Sequence, residues 1–418
     1  MKLYFEDFHG LKLVTLEQSD TKSVSMLLAC TVGAGSEPVE DSGISHFIEH
    51  TVFRGTLSRS HHQIKYPIEK SGGFLNAYTS RTTTVYYCHI PDRDLEEAFD
   101  ILFDIYLFPL FSKEAVELER SIILEEIRES LDEPTDILFN NLARMVWGEK
   151  FGKPILGYPE TVRKLTTDDL RRYHERYYSR ETTVVVVAGA ASLEVIEKIV
   201  GRYLDKFNDG EDPDSFEPRI VDLSSCVHRK KDINQIYVAL FKPVAGRTSG
   251  DSAVLEVFNT ILGSGMSSLL FNTIREEKGL VYSIGSDLNM YRNIGGLSVY
   301  ASTSPEKFPK LMDELRGLFH RLVEEGVKRE ELEYGKSRMM GKLKLSVERT
   351  LSNAFRLLDD VLTLDTPREL DSILARIESI TLDEVGEVVG RYLKGDWAIS
   401  VVIPESFELE KSELVWRL

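Results

Sequence analysis

The sequence has few cysteines and no long apolar run. Its three cysteines, Cys30, Cys88 and Cys226, are odd in number and far apart, which argues against a disulfide framework and a thiolate metal site. No apolar run approaches the ~18 residues of a membrane-spanning helix, and the first residues lack the apolar segment of a signal peptide. We therefore expect a cytoplasmic protein without a membrane partner.

Basic residues are also in short supply. The chain has 51 Lys and Arg against 68 Asp and Glu, giving a formal net charge of −17. A nucleic-acid-binding protein needs a basic face to neutralise phosphates, so a nucleic-acid partner is not expected. The hydrophobic and charged fractions, 42% and 28%, are those of an ordinary globular protein. A chain of 418 residues is longer than the length that usually folds around a single hydrophobic core, which indicates two or more domains.

The second half of the sequence repeats features of the first half. Three pairs of segments match at offsets of 214 or 215 residues: 91–92 with 305–306, 165–170 with 380–385, and 176–177 with 391–392. Such a constant offset predicts two copies of one domain, residues 1–208 and 218–418. The acidic stretch at 209–217 bears Gly and Pro and has no apolar periodicity, so it is the predicted linker.

Each half mixes strand-like runs with amphipathic helices. The strand-like segments Phe74–Thr79 and Thr84–His89 are separated by a short polar turn, which favours antiparallel pairing. Apolar residues at helical spacing predict helices at Leu95–Leu107 and Lys113–Ser130. Each domain is therefore predicted to be α+β, a mainly antiparallel sheet with helices packed on one face.

The strongest chemical signal is the segment His46-Phe47-Ile48-Glu49-His50, which follows cap-type residues at 41–43 and so indicates a helix start. The spacing of four places His46 and His50 on one side of the helix, where both imidazoles can bind one cation. Glu49 borders that side and can accept a proton from a water molecule that the metal activates. The pattern matches the inverted zinc-peptidase signature, and the alternative is a histidine pair at helical spacing that binds no metal.

A catalytic zinc ion needs a third protein ligand. The predicted helix at 113–130 is the best source, because it is rich in glutamates: Glu114, Glu117, Glu119, Glu125, Glu126 and Glu129. Glu119 and Glu126 are seven residues apart and share one face of that helix. Sequence does not fix the helix register to one residue, so Glu125 stays an alternative to Glu126.

Five segments carry a family resemblance that spans almost the whole chain: 46–56, 72–79, 119–127, 263–270 and 275–282. In these segments the sequence resembles the M16 zinc peptidases, in particular the half-length group that includes mitochondrial processing peptidase and its bacterial relatives. The resemblance implies the LuxS/MPP-like metallohydrolase fold and zinc metalloendopeptidase activity with one Zn²⁺ per chain. It further implies that His46, His50 and Glu126 bind zinc, that Glu49 is the general base, and that Glu119 supports a ligand.

The resemblance also implies a mode of substrate binding. The segment Asn76-Ala77-Tyr78-Thr79 is similar to the family's edge strand, to which a peptide adds as a further strand. Arg275 and Tyr282 resemble a pair that binds substrate and stabilises the tetrahedral intermediate. In this family four such domains enclose a chamber, so the resemblance implies a homodimer in which the C-terminal domain of one chain, which lacks the zinc motif, faces the zinc site of the other.

Two alternatives to a general peptidase of short or unfolded peptides stay open. One is a peptidase dedicated to processing a single precursor, because an edge strand and chamber walls give little residue-level specificity. The other is a non-catalytic peptide-binding or assembly subunit. The presence of the complete metal motif together with Arg275 and Tyr282 favours the enzyme.

Overall fold

The computed structural model describes residues 1–211, 218–410 and 414–418, so most of the predicted linker at 209–217 lies outside the described residues. Contacts divide the described chain into two compact units. Unit 1 contains residues 1–129, 345–368 and the described part of 153–216. Unit 2 contains residues 130–152 and the described parts of 217–344 and 369–418. Each unit therefore includes a segment from the other half of the chain. The predicted division into 1–208 and 218–418 concerns the repeat in the sequence and stays a prediction.

Each unit contains one mixed but mainly antiparallel sheet. The strands are β1 (Lys2–Phe8), β2 (Leu11–Glu17), β3 (Ser23–Cys30), β4 (Phe74–Thr79), β5 (Thr84–Pro91), β6 (Thr183–Gly189), β7 (Ser225–Lys230), β8 (Ile236–Ala245), β9 (Ser283–Met290), β10 (Ile294–Thr303) and β11 (Ala398–Pro404). The strand order is β1-β2-β6-β3-β5-β4 in unit 1 and β7-β11-β8-β10-β9 in unit 2. β2 and β6, and likewise β7 and β11, run parallel, whereas the other neighbours run antiparallel. The second sheet thus repeats the first without β1.

Helices connect and cover these strands. They are α1 (Ile44–Thr51), α2 (His61–Lys70), α3 (Leu95–Leu107), α4 (Lys113–Asp132), α5 (Pro134–Gly152), α6 (Pro159–Val162), α7 (Thr167–Tyr177), α8 (Leu193–Gly201), α9 (Ser252–Gly263), α10 (Phe308–Glu325), α11 (Arg329–Ser346), α12 (Thr350–Leu364), α13 (Leu370–Ser379) and α14 (Leu382–Tyr392). The α+β class is confirmed. Within the described residues no helix has the length and apolar character needed to cross a membrane. The cytoplasmic location stays a prediction.

Corresponding helices of the two halves begin with the same cap. Before α7, the Thr166 hydroxyl oxygen accepts a hydrogen bond from the Asp169 backbone N–H (3.2 Å), and the Asp169 carboxylate accepts one from the Thr166 N–H (2.8 Å). Before α14, Thr381 and Glu384 form the same reciprocal pair at 3.3 and 2.8 Å. Each helix leads to a central strand, β6 or β11. These capping boxes lie in the matched segments 165–170 and 380–385.

Both faces of the unit 1 sheet are covered. Successive strand residues point to opposite faces, and on β3 Met26 lies in a core with residues of α1 and α3. The adjacent Leu27 lies in a second core with Ala354, Leu357 and Leu358 of α12. Sequence analysis predicted helices on one face, and α12, which comes from the second half of the chain, covers the other.

In unit 2 the corresponding cover comes from the first half of the chain. There α5 packs on β8 and β11. The Ser400 hydroxyl of β11 donates to the Leu138 carbonyl of α5 (2.9 Å), and the Trp147 ring of α5 lies edge-on to Phe241 of β8, with the ring centroids 5.6 Å apart. α5 begins at residue 134 and α12 at residue 350, close to the repeat offset. The two halves therefore exchange equivalent helices.

A buried histidine makes the stability of unit 1 depend on pH. His174 of α7 is buried, and its Nε2 donates to the Tyr106 carbonyl (2.7 Å). Burial lowers the pKa of His174 to about 4, although this hydrogen bond raises it. An unfolded histidine has a pKa near ~6.5, so between these two values the unfolded chain binds more protons, and stability falls as the pH falls.

We predict that His174→Gln, which keeps an amide donor for Tyr106, flattens this dependence. Between about pH 7 and about pH 5.5 the wild type should lose about 1 kcal/mol more free energy of unfolding than the variant. Urea unfolding of both proteins at the two pH values measures the difference. Equal losses in the two proteins would contradict the assignment.

Candidate metal centre

The predicted ligand set comes together in unit 1. Oε2 of Glu126 on α4 lies 3.8 Å from Nε2 of His46 and 3.6 Å from Nε2 of His50, both on α1. One ligand-type atom from each of the three residues lies within 4.8 Å of the other two. Their role as metal ligands stays a prediction, but the spatial grouping is the one that it requires.

The structure distinguishes the two glutamates that the sequence left open. Adjacent residues on a helix point in different directions, and Glu125 points away from the histidines. Its side chain is 57% exposed and forms an ion pair with Arg128 on the same helix. The geometry therefore favours Glu126 over Glu125 as the third ligand.

Glu119, two turns before Glu126 on α4, holds one of the two histidines. It is buried, its Oε2 accepts a hydrogen bond from His50 Nδ1 (2.9 Å), and its Oε1 accepts one from the Arg54 guanidinium. Burial raises the pKa of Glu119, but the hydrogen bonds from His50 and Arg54 lower it, and the net direction is downward. An ionised Glu119 fixes the imidazole with Nε2 towards Glu126, as partners of metal-binding histidines commonly do.

His46 is suited to a cation for a different reason. Burial, together with the neighbouring His50, lowers the pKa of His46 to about 3, so its imidazole is neutral. A neutral imidazole is the form that binds metals. Its Nδ1 is buried and has no hydrogen-bond partner in the part of the chain that the structure describes. Two imidazole nitrogens and one carboxylate oxygen fit Zn²⁺ and leave a position for water.

Glu49 lies beside this group and is bonded to the edge of the sheet. The Thr79 hydroxyl, at the end of β4, donates to Glu49 Oε2 (2.6 Å). Burial raises the pKa of Glu49, whereas the hydrogen bond from Thr79 lowers it, and the net direction is upward. A carboxylate whose pKa lies closer to neutrality is a better general base at neutral pH.

The N-terminus of α1 is held by a residue that sequence analysis missed. Glu37 is fully buried, and its two carboxylate oxygens accept hydrogen bonds from the backbone N–H groups of Gly43 (2.8 Å) and Ser45 (2.9 Å). The cap-type residues at 41–43 provide no side-chain cap, because Gly43 itself is the N-cap, with φ at 94°. Lys153, also buried, donates to the Glu37 carbonyl (3.0 Å). No local sequence signal separates Glu37 from a surface glutamate.

The predicted peptide-binding segment lies at the sheet edge. β4 is the last strand of the unit 1 sheet and pairs with β5. The Ala77 N–H donates to the Asn76 side-chain oxygen (2.9 Å). Substrate binding by Asn76-Ala77-Tyr78-Thr79 stays a prediction, for which the edge position is a requirement.

Arg275 and Tyr282 belong to unit 2. Arg275 lies on a π-helical segment, Phe271–Glu276, with its guanidinium 4.6 Å from the centroid of the Phe271 ring. Tyr282 is 74% exposed, and its backbone N–H donates to the Ser302 carbonyl (2.9 Å). A role for either residue in substrate binding stays a prediction.

Unit 2 repeats the bond between helix and edge strand with different chemistry. The Ser286 hydroxyl of edge strand β9 donates to Asn259 Oδ1 of α9 (2.6 Å), as Thr79 donates to Glu49 in unit 1. An amide does not act as a proton acceptor in the way that a carboxylate does. Unit 2 thus keeps the arrangement but replaces the candidate base.

Comparisons with known proteins identify the family of the chain. Residues 12–159 match the family model Insulinase (Peptidase family M16), and residues 164–339 match Peptidase M16 inactive domain. The chain is 31% identical to an uncharacterized zinc protease of Bacillus subtilis, YmxG, over 95% of this chain and 97% of that protein. It is 32% identical to an uncharacterized zinc protease of Mycobacterium leprae, over 94% of this chain and 90% of that protein. The chain belongs to the M16 peptidase family.

Solved structures show the same fold. A protease from Helicobacter pylori has a TM-score of 0.89 and 19% identity, covering 96% of this M16 chain and 100% of its own. A peptidase M16 inactive domain from Pseudomonas fluorescens has a TM-score of 0.90 and 16% identity, covering 98% and 100%. These likenesses confirm the M16 fold over nearly the whole chain.

We predict that Glu126→Gln weakens zinc binding and that Glu125→Gln, one residue away on the same helix, does not. Loss of a direct ligand should lower zinc affinity by more than the roughly 10–100-fold typical of losing an outer partner. Competition with a chromogenic chelator measures the affinity of both variants and the wild type. Unchanged affinity in Glu126→Gln together with a loss in Glu125→Gln would reverse the assignment.

Proposed function

We propose that this M16 chain is a zinc-dependent endopeptidase that cleaves short, unfolded or extended peptides. The observation that carries the proposal is the grouping of His46, His50 and Glu126, whose ligand-type atoms lie within 4.8 Å of one another. Glu49 directly precedes His50 on α1 and is close enough for the charges of His50 and Glu126 to influence its pKa. A catalytic zinc site requires three protein ligands and an open position for water, and an adjacent carboxylate can act as its general base.

Different residues of the chain would have different roles in peptide hydrolysis. When bound, zinc polarises the scissile carbonyl and makes water a nucleophile at neutral pH. Glu49 takes the proton from the attacking water and delivers it to the leaving amine. The Thr79 hydroxyl, which donates to Oε2 of Glu49 (2.6 Å), would hold the carboxylate in position for this transfer. Glu119 keeps His50 oriented throughout.

The substrate would add to β4 as a further strand. An edge strand offers unpaired backbone groups, and main-chain hydrogen bonds to them make little demand on side-chain identity. Thr79 ends this strand and contacts Glu49, so a peptide lying along β4 would run towards the base. This arrangement selects for extended conformation and therefore for unfolded or short peptides.

We predict that Glu49→Gln retains zinc but loses turnover. A glutamine oxygen can still accept the hydrogen bond from Thr79 but cannot take up a proton, so kcat should fall by about 10²–10⁴-fold. Metal content and cleavage of a quenched unstructured peptide, with and without chelator, measure the two properties. Glu125→Gln is the matched control and should behave as the wild type. Full activity in Glu49→Gln would contradict the role of Glu49 as general base. Absence of peptide hydrolysis by the zinc-loaded wild type would favour a non-catalytic subunit.

We also propose a homodimer in which the second unit of one chain supplies Arg275 and Tyr282 to the zinc group of its partner and closes a chamber. The support is that the exposed Tyr282 carries a hydroxyl suited to stabilising an oxyanion. A Glu49→Gln chain and a Tyr282→Phe chain are each impaired alone in this arrangement. Mixed in a dimer, they form one site with an intact Glu49 and an intact Tyr282.

We therefore predict that mixing Glu49→Gln and Tyr282→Phe chains restores part of the peptidase activity. After unfolding and joint refolding, about a quarter of the wild-type specific activity is expected, since half of the dimers are mixed and each has one complete site. The measurement combines peptide hydrolysis with the mass of the assembly in solution. No restoration in a mixture that contains dimers would mean that Tyr282 does not act across the dimer.

A further inference from the structure

The edge strand β4 presents two chemically different faces. Leu75 and Ala77 pack against the core that contains α1, and Thr79 on the same face contacts Glu49. Because successive side chains of a strand alternate, Phe74 and Tyr78 point to the opposite face. Phe74 is 41% exposed and Tyr78 is 37% exposed. The strand therefore has a metal face and, on its other side, an exposed aromatic face.

The aromatic face extends beyond β4. Tyr87 and His89 on the neighbouring strand and Phe355 on α12 complete a group that we call the aromatic wall. The ring centroids of Phe74 lie 5.6 Å from His89 and 6.3 Å from Tyr87. Tyr78 lies 6.0 Å from Phe355, and Phe355 lies 5.0 Å from Tyr87 in an edge-on contact. These spacings are those of favourable aromatic pairs.

Hydrogen bonds to the neighbouring strand β3 hold the aromatic wall in place. His89 Nδ1 shares a hydrogen bond with the Ser25 hydroxyl of β3 (2.9 Å). The same hydroxyl bonds to Thr350 at the start of α12 (2.9 Å), the helix that carries Phe355. An anchored surface binds apolar side chains without the entropy cost of ordering its own.

A peptide strand beside β4 would meet this wall at fixed positions. Side chains directly opposite one another on neighbouring strands have Cβ atoms about 4.5–5.5 Å apart. On the aromatic face, one substrate side chain would lie opposite Phe74 and another, four residues along the peptide, opposite Tyr78. The side chain between them would lie opposite the exposed amide of Asn76.

We infer that the aromatic wall is a specificity surface that selects peptides with aromatic or branched aliphatic side chains at two positions four residues apart. The inference rests on the proposed function, because it requires the substrate to add to β4. Aromatic–aromatic and aromatic–β-branched cross-strand pairs are among the favourable pairs on such a surface. Substrate residues on the metal face are not selected by the wall.

The test is the cleavage profile of a degenerate library of unstructured peptides, read by mass spectrometry for the zinc-loaded wild type. Aromatic and branched aliphatic residues should be enriched at two positions four apart, by roughly two- to fivefold in kcat/KM per position. Phe74→Ser should abolish the enrichment at one of the two positions and leave the other. Phe74→Leu, which keeps an apolar side chain, should retain part of it. An Ala-rich reference peptide reports hydrolysis that does not depend on the wall.

The matched control is Phe5→Ser. Phe5 is 39% exposed and lies on β1, the opposite edge strand of the same sheet, so its substitution should leave the library profile unchanged. Three outcomes would overturn the inference while the proposed function stands. They are hydrolysis without preference at any position, enrichment of Lys or Arg instead of apolar residues, and a profile that Phe74→Ser does not alter. If the wild type cleaves neither the library nor the reference peptide in a zinc-dependent manner, both the inference and the proposed function are overturned.

Discussion

The unit 1 sheet is apolar on both of its faces, and the first half of the chain supplies helices for one of them. The other face is covered by Leu357, Leu358 and Val361 of α12, which arrive from the second half. Buried apolar surface contributes about 25 cal/mol per Å², so without α12 that face would be an exposed hydrophobic patch. α5 covers the second sheet in the same way. Neither half of the duplicated sequence therefore completes its own core.

The exchanged helix also shapes the candidate site. α12 brings Phe355 to the ring of Tyr78, whereas α1, on the other face, brings Glu49 to the hydroxyl of Thr79. β4 thus lies between a helix that carries the candidate base and a helix that carries part of the aromatic wall. The side chains that flank a bound peptide would come from both halves of the sequence, as a result of the same packing constraint that completes the core.

Sequence was sufficient where the signal is local. The bounds of α3 follow from its apolar periodicity, and the spacing of His46 and His50 requires only a helix. It was insufficient where a tertiary contact decides. Glu125 and Glu126 are adjacent residues of the same type, and they differ in the direction in which their side chains leave α4. The sequence does not show which of them points to the histidines. Glu37 is held by contacts that include Lys153, 116 residues away. Periodicity identified apolar helix faces but not the sheet that each one covers.

The second unit shows which parts of the site belong to the fold and which to the chemistry. In both units a hydroxyl on the edge strand donates to a side chain of the helix that packs on that edge. That bond needs only an acceptor oxygen, which a carboxylate and an amide both provide, so Asn259 can replace Glu49 without loss of structure. Proton transfer and metal binding have stricter requirements, and His46, His50 and Glu126 have no equivalent grouping among the described residues of unit 2. The two sheets share the same architecture, so the architecture alone does not distinguish the two units. Catalytic capacity would depend instead on a few side chains of unit 1.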